Sequence, residues 1–233
     1  MEKAYRGLAY LFVVIFLIVI VGFYRTYFGL FPKFEHVPSA AHFHAATLIL
    51  WSFLIIAQPL LVRYKKLSIH RALGKFSYVL APLIVFTTMA MARHMFFERQ
   101  GHISVAENLT HLYLPVSHMF LFSLFYILAI VNKKRSYIHM RYMILASIVV
   151  LAPAIVRIDF SWTGFHINSL ILSYIVTDML IASLIVFDWS NKKIYKPYLV
   201  ALPIFIIVHV ATFYLPATPW WQSFAAKFVQ IFF

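Results

Sequence analysis

The chain has 233 residues, of which 63% are hydrophobic and 12% charged, and its 20 lysines and arginines against 7 aspartates and glutamates give a formal net charge of +13. A mean hydropathy of +0.85 lies far outside the range of soluble domains, so the charge does not indicate a nucleic-acid partner. Because cysteine is absent, disulfides, thiolate-held iron–sulfur clusters and c-type haem attachment are excluded. Histidine-held metals and b-type haem stay open.

Seven apolar stretches are each about as long as a membrane-spanning helix, which needs about 20 residues. In chain order they cover roughly 8–30, 43–62, 74–93, 111–131, 140–158, 167–187 and 197–215. The first stretch has no small-x-small cleavage site close behind it, so we interpret it as a helix rather than a signal peptide. The connections are short. The sequence therefore predicts an all-α, seven-transmembrane helix bundle that forms one integral membrane domain over residues 1–233.

Basic residues cluster in every second connection of this predicted bundle. Lys3 and Arg6 precede the first span, and three further basic segments fall within 63–75, 133–141 and 192–196. In a seven-span chain all four segments lie on one side, which the positive-inside rule makes cytoplasmic. We therefore expect a multi-pass protein of the inner (cytoplasmic) membrane with its N-terminus cytoplasmic and its C-terminus outside.

Most of the histidines map to the outer half of the predicted bundle. His118 and His209 lie at matching depths of about 10 Å, and His111 projects from nearly the same face as His118. His42 and His44 point about 200° apart on a helix, so we expect only His44, at the head of an apolar run, to face the bundle. A neutral imidazole buried in hydrocarbon needs partners for two nitrogens. These histidines are therefore candidate ligands or proton carriers.

Three charged residues complete the candidate site. Asp178 lies near the middle of the sixth predicted span, where a carboxyl is costly and faces a partner or a cavity by default. A structural hydrogen bond is the alternative for this carboxyl. Arg93 and Arg157 lie at the outer ends of the third and fifth spans. We expect them to bind either lipid headgroups or the carboxylates of an anionic ligand.

The segments "HAATLILWSFLIIAQPLLVR", "HRALG" and "HMRYM", within roughly residues 42–160, resemble an uncharacterised family of bacterial polytopic membrane proteins. Those proteins carry a histidine at the head of one helix, a glutamine toward its far end and a His-Arg-x-x-Gly loop. This resemblance implies a membrane fold and no established activity.

The chain is more loosely similar to di-haem cytochrome b bundles, in which histidines from two helices clamp each haem near opposite membrane faces. This resemblance implies an outer pair, His44 with His118, and an inner pair, His70 with His139. His70 and His139 fall in predicted basic loops, where a haem is poorly sheltered. We therefore expect a haem at the outer pair rather than at the inner one.

The sequence leaves three functions open, and it does not decide whether the protein is an enzyme. The first is a redox protein that binds haem b, with His44 and His118 as axial ligands and Arg93 or Arg157 near the propionates. Its expected partners are the lipid bilayer and a quinone, a lipid or a redox protein.

The other two functions use the remaining candidates. A zinc or non-haem iron centre made from His44, His118 and His209, with His111 as a further candidate ligand and Asp178 as ligand or base, predicts an enzyme acting on a lipid-like substrate. Proton transfer by Asp178 and His209 without a metal predicts a transporter, a sensor or an assembly factor.

Overall fold

A computed structural model describes residues 7–158 and 168–233, and within these ranges the protein is helical and has no β-strand. The α-helices are α1 (Leu8–Gly22), α2 (Ser39–Arg63), α3 (Leu67–Arg99), α4 (Val105–His111), α5 (Tyr113–Val131), α6 (Ser136–Ile148), α7 (Leu151–Ile155), α8 (Ser169–Ser190), α9 (Lys196–Tyr214) and α10 (Pro219–Phe232). Short 3-10 helices cover Phe28–Leu30 and Leu215–Ala217. The predicted all-α fold class is thus confirmed for the described ranges.

Six helical segments among the described residues are long and apolar enough to cross a membrane. They are α2, α3, α4 with α5, α6 with α7, α8, and α9 with the 3-10 turn that follows it. These six match the second to seventh predicted spans. The chain is therefore a multi-pass integral membrane protein.

The helix predicted over 8–30 is shorter than expected. α1 has 15 residues, which corresponds to about 22 Å, whereas the hydrocarbon core of a bilayer is about 30 Å thick. The chain leaves the helix at Phe23 and continues through turns to Phe28–Leu30. The seventh span and the orientation of the termini stay predictions. Lys3 and Arg6 lie outside the described residues, as does position 167.

The three basic connections within the described part of the chain meet at the same end of the bundle. They are residues 64–66 between α2 and α3, 132–135 between α5 and α6, and 191–195 between α8 and α9. Successive spans run antiparallel across such short connections, so all three face one way. We call this end the basic side and the other end the opposite side.

On the basic side, two spans begin several residues earlier than the apolar runs predicted. α3 starts at Leu67 rather than near residue 74, and α6 starts at Ser136 rather than near residue 140. A helix tolerates lysine, arginine and histidine in its first turns, whereas hydropathy marks only the part inside hydrocarbon. His70 and His139, predicted in loops, are therefore in helices.

The helix α10 was not predicted from the sequence. The side chain of Thr218 caps its start by accepting a hydrogen bond from the backbone N–H of Trp221, and Pro219 occupies the first turn. Trp221 and Ala225 pack with the opposite-side ends of α3, α4 and α5 in a small second core, separate from the main core of the bundle. α10 therefore covers one end of the bundle.

A close backbone approach involves Gly22 at the end of α1. A Cβ atom placed there would collide with the backbone carbonyl of Ala154 in α7. Only glycine fits between these two helices, so this position fixes how closely α1 packs against α7.

We expect Gly22→Ala to destabilise the protein by about 1–3 kcal/mol, the usual range for overpacking. Gly74→Ala is the matched control, since nothing lies within 4 Å of a Cβ at that position in α3, and it should leave stability unchanged or slightly raised. Thermal unfolding in a mild detergent measures both variants. Equal unfolding temperatures would contradict the close α1–α7 contact.

A buried ion pair joins α6 to α8 on the basic side. Nε and Nη2 of Arg141 donate to Oδ2 and Oδ1 of Asp188 across 2.7 and 2.6 Å, and the side chains of Arg141 and Asp188 are 0% and 5% exposed. Nη1 donates to the carbonyl of Tyr137, and the guanidinium lies 3.9 Å from the ring centroid of Tyr195. Each of the two charges of the pair is thus fully compensated inside the bundle.

Removal of one partner of this pair should cost about 3–5 kcal/mol, because the other charge stays buried and uncompensated. Asp188→Leu should therefore lower the unfolding temperature strongly. The double variant Arg141→Met, Asp188→Leu should recover part of the loss, since no charge is then left in the core. Glu35→Gln, which removes an exposed ion pair with Lys33, is the control and should change little.

Candidate functional site

Among the described helices, one cavity lies toward each end of the bundle. The opposite-side cavity has a volume of about 100 Å³ and is lined by His44, His118 and mainly apolar side chains. The basic-side cavity has a volume of about 480 Å³ and is lined by His70, His139, apolar side chains and several cations. Each cavity thus contains one of the two histidine pairs that the sequence analysis named.

A hydroxyl network fixes the ring of His44. Its Nδ1 lies 3.2 Å from Oγ1 of Thr87. The Thr87 hydroxyl donates to the carbonyl of Ile84, and the Thr47 hydroxyl donates to the carbonyl of His44. Because the hydrogen of Thr87 is engaged with Ile84, its oxygen accepts from Nδ1–H of His44. This assignment leaves a lone pair on Nε2 of the imidazole.

His118 is held in the same tautomer by its own helix. Its Nδ1 donates to the backbone carbonyl of Leu114 across 2.6 Å, and since a carbonyl only accepts, Nε2 again carries a lone pair. Among residues 7–158 and 168–233, neither Nε2 has a hydrogen-bond partner. Both imidazoles therefore offer an acceptor nitrogen.

Arg157 lies beside this pair. Its charge interacts electrostatically with both His44 and His118, while its Nη1 donates to the carbonyl of Pro153 and its guanidinium packs 4.6 Å from the ring centroid of Phe23. A fixed cation next to two neutral imidazoles disfavours a second cation in the cavity.

Arg93, the other predicted anion-binding arginine, does not line the opposite-side cavity. Its Nε donates to the backbone carbonyl of Phe233 across 2.8 Å, and its guanidinium packs over the ring of Phe97. Arg93 therefore joins the end of α3 to the end of α10.

The volume of the opposite-side cavity limits what it can bind. Pockets for drug-sized ligands are about 300–1,000 Å³, and a porphyrin does not fit into about 100 Å³. The cavity therefore gives no support to His44 and His118 as the axial ligands of a haem. It is large enough for a few water molecules between the two acceptor nitrogens.

Asp178 of α8 has a partner in His209 of α9. Nδ1 of His209 lies 3.0 Å from Oδ1 and 3.1 Å from Oδ2 of the carboxylate. The ring of Tyr174 stacks on the imidazole with 4.0 Å between centroids, and its hydroxyl hydrogen-bonds to Thr212. His209 is also close enough to interact electrostatically with His118. The pair thus gives Oδ2 of an intramembrane carboxyl a hydrogen-bond partner, while Oδ1 is buried without one among the described residues.

The described ranges contain no group of three or more histidine, aspartate or glutamate side chains that could hold a metal ion. The predicted centre of His44, His118, His209 and Asp178 is therefore not assembled. His111 is exposed in the last turn of α4, about 10 Å of helix rise from His118, and does not line the cavity. The sequence could not reveal this, because similar depth does not bring side chains on different helices together.

The basic-side cavity is amphipathic. Apolar side chains of α1, α2 and α6 form much of its wall, including Leu8, Phe12, Leu54, Ile55, Met140 and Met143. Arg71, Lys75 and Lys133 supply positive charge, and Nζ of Lys133 donates to the hydroxyl of Tyr78. This combination suits a ligand with an apolar body and anionic groups.

The two histidines of this cavity are close enough to interact electrostatically. Nδ1 of His139 donates to the carbonyl of Ala129 across 2.8 Å, so its Nε2 carries a lone pair. In the amide orientation that satisfies both groups, the nitrogen of Gln58 donates to Nδ1 of His70 and the oxygen accepts from the backbone N–H of Gly74. Nε2 of His70 therefore carries the hydrogen, and the pair presents one acceptor and one donor to the cavity.

Aromatic side chains connect the two cavities. Phe122 lines the opposite-side cavity, and its ring centroid lies 5.2 Å from that of Trp51, which lies 5.9 Å from that of Tyr126. The Tyr126 hydroxyl hydrogen-bonds to Ser77, which lines the basic-side cavity. Trp51 is 1% exposed, and its Nε1 has no hydrogen-bond partner among the described residues.

The sequence predicts His70 and His139 in loops, whereas the structure places them in α3 and α6. The available signal was the similar context of "IHRALG" and "IHMRYM", each beginning a few residues after a basic segment and entering a span. Helices that begin at Leu67 and Ser136 place both imidazoles on the cavity wall. Compared with protein-family models, curated proteins and solved structures, the chain matches none of them.

We expect Asp178→Leu to destabilise the protein by about 1–3 kcal/mol, because Nδ1–H of His209 would lose its acceptor in a buried position. Asp178→Asn should retain most of the stability, since its amide oxygen still accepts. Tyr174→Phe keeps the stacking and loses one neutral hydrogen bond, so its effect should also be small. Thermal unfolding in detergent measures all three. An unchanged Asp178→Leu variant would show that the pair does not hold α8 against α9.

Proposed function

We propose that the protein is a membrane redox protein that binds one haem b in the basic-side cavity, with His70 and His139 as axial ligands. The observation that carries this proposal is the location of two imidazoles, from α3 and α6, on the wall of one amphipathic cavity of about 480 Å³. We choose this site over one at His44 and His118, because the cavity of that pair is much smaller. The proposal keeps the redox function that the sequence suggested and assigns the haem ligands to His70 and His139 instead of His44 and His118.

The walls of the cavity support the proposal. The volume lies within the range of about 300–1,000 Å³ that is usual for small-molecule sites. Leucine, isoleucine, phenylalanine and methionine side chains from three helices suit the apolar faces of a porphyrin. Methionine adapts its shape to flat ring systems because its side chain is unbranched and polarisable.

The cations suit the propionates. Arg71 and Lys75 lie on α3, one residue and five residues after His70, and Lys133 lies in the connection before α6. All three line the cavity at its basic side. Charge-assisted hydrogen bonds from these side chains would orient two carboxylates toward the aqueous end while the ring stays among apolar residues.

The chain's own hydrogen bonds prepare one ligand and restrain the other. His139 presents the lone pair of Nε2 because its Nδ1–H is held by the carbonyl of Ala129; this is the usual state of a metal-ligating histidine. His70 must move its proton from Nε2 to Nδ1, and the amide of Gln58 must turn so that its oxygen accepts from Nδ1–H. Gln58 therefore controls the tautomer of His70. Bound haem would supply one-electron transfer.

The test is an absorption spectrum of the purified protein, oxidised and dithionite-reduced, expressed with sufficient haem. We expect a Soret band, a sharp reduced α band and about one haem per chain. His139→Ala and His70→Ala should each remove or strongly reduce these bands or convert them to a high-spin form. His44→Ala and His118→Ala are matched histidine controls and should leave the spectrum nearly unchanged.

Three outcomes would contradict the proposal in different ways. Loss of haem in the His44 and His118 variants alone would return the site to the opposite-side cavity. A colourless protein that retains stoichiometric anionic phospholipid would identify the basic-side cavity as a lipid site. A colourless protein with neither ligand, despite native unfolding behaviour and sufficient haem, would overturn haem binding altogether.

A further inference from the structure

The helix α10 presents three different faces along its length. One face packs on the protein: Trp221 and Ala225 are 4% and 1% exposed, and Val229, one turn later, contacts the same small core. Residues at spacings of four lie on one side of a helix, so these residues form a continuous protein-facing stripe. The other two faces are free of the bundle.

The second face is aromatic and exposed. Trp220, Phe224 and Ile231 are 64%, 40% and 72% exposed, and Phe228 lies between them on the same side of the helix. Neighbouring rings along this stripe contact each other, with 5.7 Å between the centroids of Trp220 and Phe224 and 6.2 Å between those of Phe224 and Phe228. The stripe is therefore a continuous apolar surface.

The third face is polar. Ser223, Lys227 and Gln230 are exposed and follow one another at spacings of four and three residues. At about 100° per residue, this polar stripe is centred about 90° around the helix from the aromatic stripe. An aqueous environment fits the polar stripe and not the aromatic one, and the hydrocarbon core fits neither Lys227 nor Gln230.

α10 is fixed at both ends. Near its start, the indole N–H of Trp221 donates to the carbonyl of Leu109, and the amide of Gln222 donates to the carbonyl of Pro216. At its end, Arg93 donates to the carbonyl of Phe233. The aromatic stripe is also continuous with α3, since Phe233 packs between Phe97 and Phe228. The orientation of the three faces relative to the spans is thereby set.

We propose that α10 lies in the plane of the bilayer interface on the opposite side, with its aromatic stripe inserted among lipid acyl chains and its polar stripe facing headgroups and water. Three features select lipid as the occupant. The aromatic stripe continues from the exposed surface of a membrane-spanning helix, α10 follows directly from the end of the α9 span, and Lys227 lies at the border of the apolar stripe where its ammonium reaches headgroup phosphates. Tryptophan at this level is typical of interfacial anchors.

The chain has no cysteine, so single cysteines introduced for spin labelling are unambiguous. We would label Phe224→Cys and its neighbour Ser223→Cys, with Ile231→Cys and Gln230→Cys as a second pair on the same two stripes. The protein is reconstituted in phosphatidylcholine–phosphatidylglycerol vesicles. Collision of the label with oxygen, which partitions into lipid, is compared with collision with a water-soluble nickel chelate. Ile207→Cys on α9, 66% exposed, is the hydrocarbon reference.

We expect Phe224→Cys and Ile231→Cys to resemble the Ile207→Cys reference, and Ser223→Cys and Gln230→Cys to collide more with the nickel chelate. Equal nickel access at both stripes would overturn the proposal by placing the aromatic stripe in water. Low access to both reagents on the aromatic stripe would overturn it by showing that protein covers α10. Distances between labels on different protomers would then identify a second copy. Native unfolding temperatures verify that each labelled variant is folded.

Discussion

In the hydrocarbon core no water is present to satisfy a polar group, so a buried donor or acceptor without a partner in the protein is costly. Arg141 and Asp188 avoid this cost for two full charges. Most serine and threonine hydroxyls of the spans instead donate to carbonyls of their own helix. Among the described residues, the polar contacts between spans include those of α2 to α3 (His44–Thr87), α3 to α5 (Ser77–Tyr126), α5 to α9 (Tyr113–Val208), α9 to α8 (His209–Asp178), α8 to α6 (Asp188–Arg141) and α6 to α5 (His139–Ala129).

Six spans and the class of the protein could be predicted because long apolar runs have few alternatives in a chain of this composition. The errors occur where hydropathy carries no signal. The chain leaves α1 at Phe23 although phenylalanine and tyrosine continue beyond it, and α3 extends through His70, Arg71 and Lys75 because a helix accepts these residues outside hydrocarbon. α10 was missed because its 14 residues are too short for a span, and its three-faced pattern has meaning only once its neighbours are known.

The candidate site was predictable by residue type and only partly by location. An intramembrane carboxyl needs a partner, and Asp178 has one, but nothing in the sequence indicates that His209 fills this role rather than His118. Similarly, the pairing of His44 with Thr87 depends on how α2 and α3 pack. Cavity volume is the quantity that sequence reasoning lacks altogether. It depends on the summed shapes of side chains from several helices, and here the cavity lined by His70 and His139 is the larger of the two.

The first helix differs from the other spans in how it is held. Among the described residues, no side chain of α1 forms a hydrogen bond or an ion pair with another helix; its contacts with α2 and α7 are apolar. In lipid, such packing has little hydrophobic driving force, because acyl chains solvate the exposed surface equally well. Leu8 and Phe12 line one cavity, and Val19 lines the other. α1 thus forms part of the wall of both cavities and, in the described part of the chain, is held there by apolar packing alone.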